Sequence, residues 1–389
     1  MDSTLVERPP SGLFPTLTES PCMQPILEWL QLGGGVCVVT TAARRSITQI
    51  WDCVPRELRA GRALVLSALE GGDLVYGDDA GDMVTDHAYQ KVGAAGGRPT
   101  CFSPSSLEVL LGYAETMIHA IYVDMLADRA ILKALSTKYH DTVSVVLERL
   151  AAGKPLEALL SLERLTTAGS IMTKTGERII SFNTPLQAEP AADTGTPVCT
   201  VSVMGFPGTH SKRYYEPFVE KAAALGADLS AAPNSLWFTP SGVSKATPIS
   251  WLQQHAEEYG FDLHNAVAFG DCPHTNDGPL TSLSLHGSGS AADGESGSPA
   301  YCPFVSVADA QNVAKVPAHV QALHVGGVEF GTARVLQGLL GAVRERTNAA
   351  PCGAADKGIS IPALLPEVVQ RCQQASLPGT GEAIDGREV

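Results

Sequence analysis

Two short, unbroken apolar runs constrain this chain more than any other feature: Val36-Cys37-Val38-Val39 and Ala266-Val267-Ala268-Phe269. A strand with one wet face alternates apolar and polar residues. A strand covered on both faces, as in a parallel sheet between helices, is apolar throughout. Each run ends in polar residues, Thr40-Thr41 and Gly270-Asp271. In an open α/β sheet the carboxyl ends of the strands form the crevice where ligands bind. Residues 40–265 separate the two runs, so a parallel α/β layer opens early, is interrupted, and resumes late.

The pattern around the runs agrees. Gln24 to Trp29 reads as a helix stopped by Gly33-Gly34-Gly35, and 47–58 as a second helix. Residues 63–67 and 74–76 alternate around Glu70-Gly71-Gly72, a hairpin signal. From about Gly81 to Pro240 the rhythm becomes α+β. Ser105 and Glu108 form a capping box ahead of a helix with Leu107, Leu110, Leu111, Ala114, Ile118 and Ile121 at helical spacing. Helices are expected at 127–136, 142–151, 156–165 and 215–225, and strands at 178–182, 198–205 and 235–239. After Pro240 come a helix at 249–259, strands at 266–269, 304–307 and 322–325, and a helix at 331–344. The expected organisation is an α/β core formed by 1–82 and 240–350, with an α+β domain, 83–239, inserted in it. The Gly/Ser-rich stretch 284–300 reads as a flexible surface insertion. The extension 351–389 is expected to be partly disordered, as a tail from Cys372 onward.

Composition excludes several function classes. The 389 residues suffice for two domains. The balance of 27 Lys+Arg against 41 Asp+Glu gives a net charge of −14 without a basic block, which disfavours nucleic acid as a partner. No apolar run approaches the ~18–20 residues of a membrane span, and Met1-Asp2-Ser3-Thr4 does not open a signal peptide. The nine dispersed cysteines lack a Cys-x-x-Cys pair, which fits a reducing, cytoplasmic setting. No G-x-G-x-x-G follows a strand, which disfavours a nicotinamide enzyme. Oligomeric state leaves no mark in the sequence.

The segment Ala266-Val-Ala-Phe-Gly-Asp271-Cys-Pro-His-Thr-Asn276-Asp277 delivers acidic residues at a strand's carboxyl end. Carboxylates there suit Mg²⁺, a hard cation that works beside phosphates, although a polar turn is the plainer reading. Upstream, Ser241-Gly242-Val243-Ser244-Lys245 runs into a helix. A lysine at a helix start opposes the helix dipole, so it is either a surface residue or a cation meant for an anion. Together, Gly242-Val243-Ser244-Lys245, the helix, Gly270-Asp271 and Asn276-Asp277 resemble the haloacid dehalogenase superfamily, in its Cof-like, sucrose-phosphatase-like branch. The separation from Lys245 to Asp271, 271 − 245 = 26, matches that branch. Val36 to Arg44 resembles its second motif, the 63–76 hairpin stands where the branch has another, and Phe304 to Leu336 resembles its closing strand and helix.

The resemblance implies a Rossmann-like core with an α+β cap and Mg²⁺-dependent hydrolysis of a small phosphorylated metabolite such as a sugar phosphate. It puts Thr40 or Thr41 and Lys245 on the phosphoryl oxygens, Asp271 and Asp277 on the metal, and Asn276 in support. The first motif falls at Met1-Asp2-Ser3-Thr4-Leu5-Val6. That register makes Asp2 the general acid/base, near the metal, and puts the attacking aspartate one residue before Met1. An alternative register makes Asp2 itself the attacking group. Either the start is assigned too late, which the intact later motifs favour, or the chain is an inactive relative that binds a phosphorylated metabolite without turnover. Lesser candidates are His210, Lys212, Arg213 and Tyr215 as a substrate contact in the cap, Arg44 and Arg45 beside the second motif, and His274 as a proton shuttle. Each has an ordinary surface role as its alternative. Cys37 reads as core.

Overall fold

The computed structural model describes residues 4–6, 17–42, 44–127, 148, 152–153, 170–172, 178–181, 186–190, 198–204, 212–232, 235–275, 277–281, 284–285, 300–308, 312, 314–315, 322–349 and 359–375. The chain opens with α1 (Met23–Gln31), β1 (Val36–Val39) and α2 (Arg44–Cys53). It continues with β2 (Leu64–Ala68), β3 (Asp73–Gly77) and β4 (Met83–Thr85), which form a sheet in the order β1-β2-β3-β4. β1 and β2 are parallel, Val36 opposite Leu64, while β2-β3 and β3-β4 are antiparallel. The hairpin read from the sequence is therefore present, with an additional third strand at its edge. The second helix ends at Cys53, and a separate turn at Arg56–Arg59 follows Pro55, which lacks the N–H needed to continue it.

Next come α3 (His87–Val92) and α4 (Pro104–Ala127). The cap of α4 is Ser103 rather than Ser105: Ser103 Oγ accepts the Ser106 N–H at 3.1 Å, so the helix starts two residues earlier than the capping box implied. The helices expected at 127–136, 142–151 and 156–165 lie almost entirely outside the described residues. Strands β5 (Ser170–Met172) and β6 (Arg178–Ser181) pair as a ribbon. β7 (Leu186–Pro190), β8 (Val198–Met204), α5 (Lys212–Ala224), β9 (Ala227–Ala232) and β10 (Ser235–Pro240) follow, and the strands form an antiparallel sheet in the order β7-β8-β10-β9.

The α/β rhythm then resumes with α6 (Ala246–Gln254), β11 (Ala268–Gly270), the ribbon β12 (Ser284–Leu285) with β13 (Ala300–Tyr301), β14 (Phe304–Ser306), β15 (Ala322–His324), α7 (Val328–Ala349) and α8 (Ile361–Ala375). β11, β14 and β15 form a parallel sheet in that order. The helix expected over 249–259 is broken at His255, whose φ of −116° and ψ of 33° are not helical. The ends of the Gly/Ser-rich insertion are strands, since Ser284 pairs with Tyr301 and Leu285 with Ala300.

The tail expected from Cys372 needs correction. Residues 372–375 complete α8, which buries Ile361, Leu364, Leu365, Val368, Val369 and Cys372 on one stripe. That spacing is a helical face. It packs on α7 and on Val305, Val307 and Val325 of the second parallel sheet, at about 1.5–3 kcal/mol for each large side chain buried. Pro362 and Pro366 hid the pattern, but the first falls in the opening turn, where the missing N–H costs nothing. The first sheet is covered by α1 and α2, whose Ile26, Leu30, Ile47, Ile50 and Trp51 pack with Val38, Leu64 and Leu66. The fold is thus of the mixed α/β class, with parallel strands in two sheets and an antiparallel sheet between them in sequence.

Candidate functional site

The site is assembled at the carboxyl ends of the parallel strands. Thr40, the residue after β1, is buried. Its N–H donates to Ser67 O at 2.9 Å, extending the β1-β2 ladder, and its carbonyl accepts the Glu70 N–H at 3.2 Å. Thr40 Oγ1 accepts the Ala42 N–H at 3.1 Å, which leaves its O–H as a donor. Thr41 is half-buried beside it.

Between β2 and β3 the backbone turns through Leu69, Glu70 and Gly71 with φ of 56°, 60° and 92°. Only glycine adopts this region freely, and each of the other two costs about 1–2 kcal/mol. The surroundings hold the turn from all sides. Tyr89 Oη donates to Gly71 O, Thr100 Oγ1 to Gly72 O at 2.8 Å, Cys199 Sγ to Gly72 O at 3.3 Å and Thr200 Oγ1 to Leu69 O at 3.3 Å. A Cβ on Gly71 would lie 2.3 Å from Ser244 O, so the turn is seated against the loop that carries Lys245.

Lys245, at the start of α6, is 6% exposed, and its Nζ donates to Asp277 Oδ1 at 2.8 Å. The surface alternative for this lysine is therefore excluded. Burial alone would lower its pKa, but Asp277, Glu70 and Asp271 outweigh burial and raise it, so the ammonium stays charged. Burial likewise disfavours the charged form of Asp277, yet Lys245 and the Cys272 N–H, which reaches Asp277 Oδ2 at 3.0 Å, hold its pKa below the ordinary value. Gly270 makes room for this carboxylate, since a Cβ there would fall 2.4 Å from Asp277 Oδ2. Asp271 is half-buried. Its Oδ1 accepts the Thr4 hydroxyl at 3.3 Å and its Oδ2 the Cys272 thiol at 3.3 Å. Burial and the adjacent Asp271 push that thiol up to about 12.

Lys245 and Asp277 are in direct contact, Asp271 is joined to Asp277 through Cys272, and Thr40 meets the Glu70 turn through its carbonyl. Asp2 and Asn276 lie outside the described residues. Glu70 was missed. Burial raises its carboxyl, Lys245 lowers it and Asp277 raises it again, which places it in the same charge cluster. The available signal was Glu70-Gly71 at the end of a parallel strand, where a turn faces the crevice. Arg44 is turned elsewhere: it donates to Asp73 Oδ2 at 3.2 Å and to Thr85 Oγ1 at 2.9 Å. Arg213 donates to the neighbouring Tyr214 hydroxyl at the exposed start of α5. His274 has a buried Nδ1 without a hydrogen-bond partner among the described residues.

Among the described residues the Lys245 ammonium faces the carboxyl groups of Asp277, Glu70 and Asp271. Mg²⁺ is commonly held by one or two carboxylates, waters and substrate phosphate. Asp271, half-buried after β11 and accepting hydrogen bonds of 3.3 Å from Thr4 and Cys272, is a carboxylate of the kind such a site needs. Each Asp277 oxygen already accepts a short hydrogen bond, so that residue is better suited to fixing Lys245 and the 271–277 loop. Among the described residues no three His, Cys, Asp or Glu side chains are gathered as a complete metal cage.

Comparison with known proteins finds only distant similarity. No family model and no curated protein matches the chain. Among solved structures, a haloacid dehalogenase-like hydrolase from Bacteroides thetaiotaomicron is similar at 12% identity and a TM-score of 0.43, covering 82% of this chain and 91% of its own. A haloacid dehalogenase-like hydrolase from B. subtilis is similar at 13% identity and a TM-score of 0.41, covering 82% and 92%. A trehalose-6-phosphate phosphatase related protein is similar at 11% identity and a TM-score of 0.38, covering 88% and 96%. The similarity of all three to this chain is low. The function of the chain is therefore argued from its own residues.

Proposed function

We propose that the chain is a phosphate-monoester hydrolase of the haloacid dehalogenase type, acting with Mg²⁺ on a small polar phosphorylated metabolite. The observation that carries this reading is Lys245, a buried ammonium kept charged by Asp277, Glu70 and Asp271 at the carboxyl ends of parallel strands. A fixed positive charge in a partly desolvated pocket is what a transferring phosphoryl group requires.

In this reading Lys245 and the Thr40 hydroxyl hold the phosphoryl oxygens. Thr41 is the second candidate for that contact. Asp277 orients Lys245 and keeps it protonated, while Asn276 supports the same loop. Asp271 would hold Mg²⁺, which when bound neutralises phosphoryl charge. Asp2 exchanges a proton with the leaving group. The cap reading gives 83–239 the choice of substrate. The cytoplasm is the proposed setting; among the described residues no helix is long and apolar enough to cross a membrane.

A second reading, binding of a phosphorylated metabolite without turnover, is favoured by the state of the described carboxyls. Asp277 is bonded at both oxygens, Asp271 is turned to Thr4 and Cys272, and Glu70 lies in a strained turn. Hydrolysis of p-nitrophenyl phosphate with and without Mg²⁺, together with calorimetric binding of inorganic phosphate, separates the two. Turnover by the native chain that falls at least about tenfold in Lys245→Ala and Asp271→Asn supports the enzyme. Phosphate binding lost in Lys245→Ala, without turnover, supports the second reading. Neither turnover nor binding removes both.

A further inference from the structure

The segment from Arg98 to Thr100, between α3 and α4, touches both loops that build the site. Thr100 is buried; its N–H donates to Gln90 O at 3.0 Å and its Oγ1 to Gly72 O at 2.8 Å, at the end of the turn that carries Glu70. Arg98, just before it, lies against the loop that leads into Lys245. A Cβ on Gly242 would fall 2.9 Å from Arg98 Nη2 and 3.6 Å from Ala95 Cβ, so the guanidinium rests where only glycine leaves room. The φ of Gly242, 82°, is also one that side-chain-bearing residues rarely adopt.

The backbone of Arg98 is fixed. Its N–H donates to Ala94 O at 3.2 Å, and its carbonyl accepts the Ala94 N–H at 2.9 Å. Pro99 follows, which locks its own φ and restricts the residue before it to extended conformations. Thr100 then ties the segment to the core. The Arg98 side chain, by contrast, is exposed, and Nε donates to Ala95 O at 3.0 Å. Among the described residues neither Nη atom has a hydrogen bond, so the outer fork of the guanidinium is open.

An open guanidinium beside the site stands out against the charge of this chain. With 27 Lys+Arg against 41 Asp+Glu, carboxylates outnumber the cations available to pair with them. Arg56, Arg62, Arg344 and Arg371 each hold one. Arg98 holds none among the described residues, although Asp228 is bonded to the same loop. The two Asp228 oxygens accept Ser241 Oγ at 2.8 Å and the Gly242 N–H at 3.1 Å instead. Nor does Arg98 belong to the charge cluster, since the groups that act on Lys245 are Asp277, Glu70 and Asp271. It is a separate cation, one loop away from the ammonium.

We propose that Arg98 is a specificity-determining residue that reads a second anionic group on the ligand. That group is a carboxylate or a further phosphoryl group, carried away from the phosphoryl group that Lys245 holds. The planar fork of arginine meets two oxygens of such a group at once, which a lysine ammonium does not. A backbone fixed on both sides of Arg98 lowers the cost of ordering it on the ligand. The substrate class is then a phosphate monoester that is also an acid, rather than one whose remainder is uncharged. The proposal rests on phosphate binding at Lys245 and is indifferent to whether turnover follows.

Phosphonates test it, because their C–P bond resists hydrolysis and binding is read alone. Calorimetry on the full chain at low salt compares phosphonoacetate, phosphonopropionate and methylenediphosphonate with ethylphosphonate, which lacks the second anion. Inorganic phosphate is measured beside them. At least one of the doubly anionic probes should bind at least about fivefold tighter than ethylphosphonate, the scale of an exposed charge-assisted pair. Which probe gains most tells a carboxylate from a phosphoryl group. In Arg98→Gln the affinity ratio should fall close to one, and Arg98→Lys should keep only part of it. Two results would overturn the proposal. One is a ratio near one for every probe in the native chain while inorganic phosphate binds. The other is a high ratio that survives Arg98→Gln, which puts the second anion elsewhere. If neither phosphate nor any phosphonate binds, the phosphate site itself fails and Arg98 loses its role with it, a result distinct from both.

Discussion

Removing one member of the buried pair Lys245–Asp277 tests the centre of the site. The two side chains are 7% and 8% exposed and 2.8 Å apart. At an effective dielectric of about 20 that separation is worth about 6 kcal/mol of attraction, which the cost of dehydrating both ions largely offsets. The pair as a whole is therefore worth little compared with an apolar pair, whereas loss of one partner strands a buried charge at about 3–5 kcal/mol. Asp277→Asn leaves Glu70 and Asp271 facing the ammonium, so the lower end, about 3 kcal/mol, is expected. Lys245→Met leaves three carboxyls facing one another and should cost about 4 kcal/mol. The double variant should recover most of the loss, with a coupling of at least about 2 kcal/mol. Urea denaturation read through Trp251, which lies in α6 with Lys245 at its start, is the assay. Single losses below about 1 kcal/mol that add within about 0.5 kcal/mol would refute the reasoning. The pH window is set by the two shifts. The lowered Asp277 contributes stability that is present above its ordinary value of 3.8 and is lost as pH falls through its folded value. The raised Lys245 contributes stability present below its ordinary value of 10.5, lost as pH rises through its folded value.

Three other perturbations are informative. Burial against β2 pushes the Asp73 carboxyl up to about 7 despite Arg44 and Gln90, so the folded state holds a proton that the unfolded state has released. Stability should therefore fall between about pH 4 and pH 7, and Asp73→Asn should flatten that slope in denaturation curves across the range; an unchanged slope rejects the assignment. Gly71→Ala combines a φ of 92° with a Cβ 2.3 Å from Ser244 O. It should cost at least about 2 kcal/mol and weaken phosphate binding, whereas a loss within 0.5 kcal/mol, on the order of a neutral surface change, would mean the turn is free to move. Asp86→Ala removes an acceptor that serves the Tyr89 N–H at 2.9 Å, the Trp251 indole at 2.9 Å and the Tyr259 hydroxyl. About 3 kcal/mol of destabilisation by urea is expected from the three stranded donors, and less than about 1 kcal/mol would contradict it.

What the sequence by itself determined is the local part of the molecule. The runs Val36–Val39 and Ala266–Phe269 are apolar at every step, and that local pattern points to strands of a parallel sheet. Glycines and prolines then bound the elements closely enough to place Thr40, Lys245 and Asp271 at strand and helix ends. The capping of α4 and the course of α8 were misread, because Ser103 competes with Ser105 and because Pro362 and Pro366 break up the look of a helical stripe that the fold nonetheless buries. Tertiary structure decided which charges meet. Lys245 and Asp277 are 32 positions apart, and Glu70 belongs to a turn held by Tyr89, Thr100 and Thr200 from three different parts of the chain. Nothing in the neighbourhood of Glu70 reports that burial, since desolvation is set by whatever packs against a group in space. Periodicity is written in consecutive residues, but the company a charge or a strand edge keeps is settled when distant segments close around it.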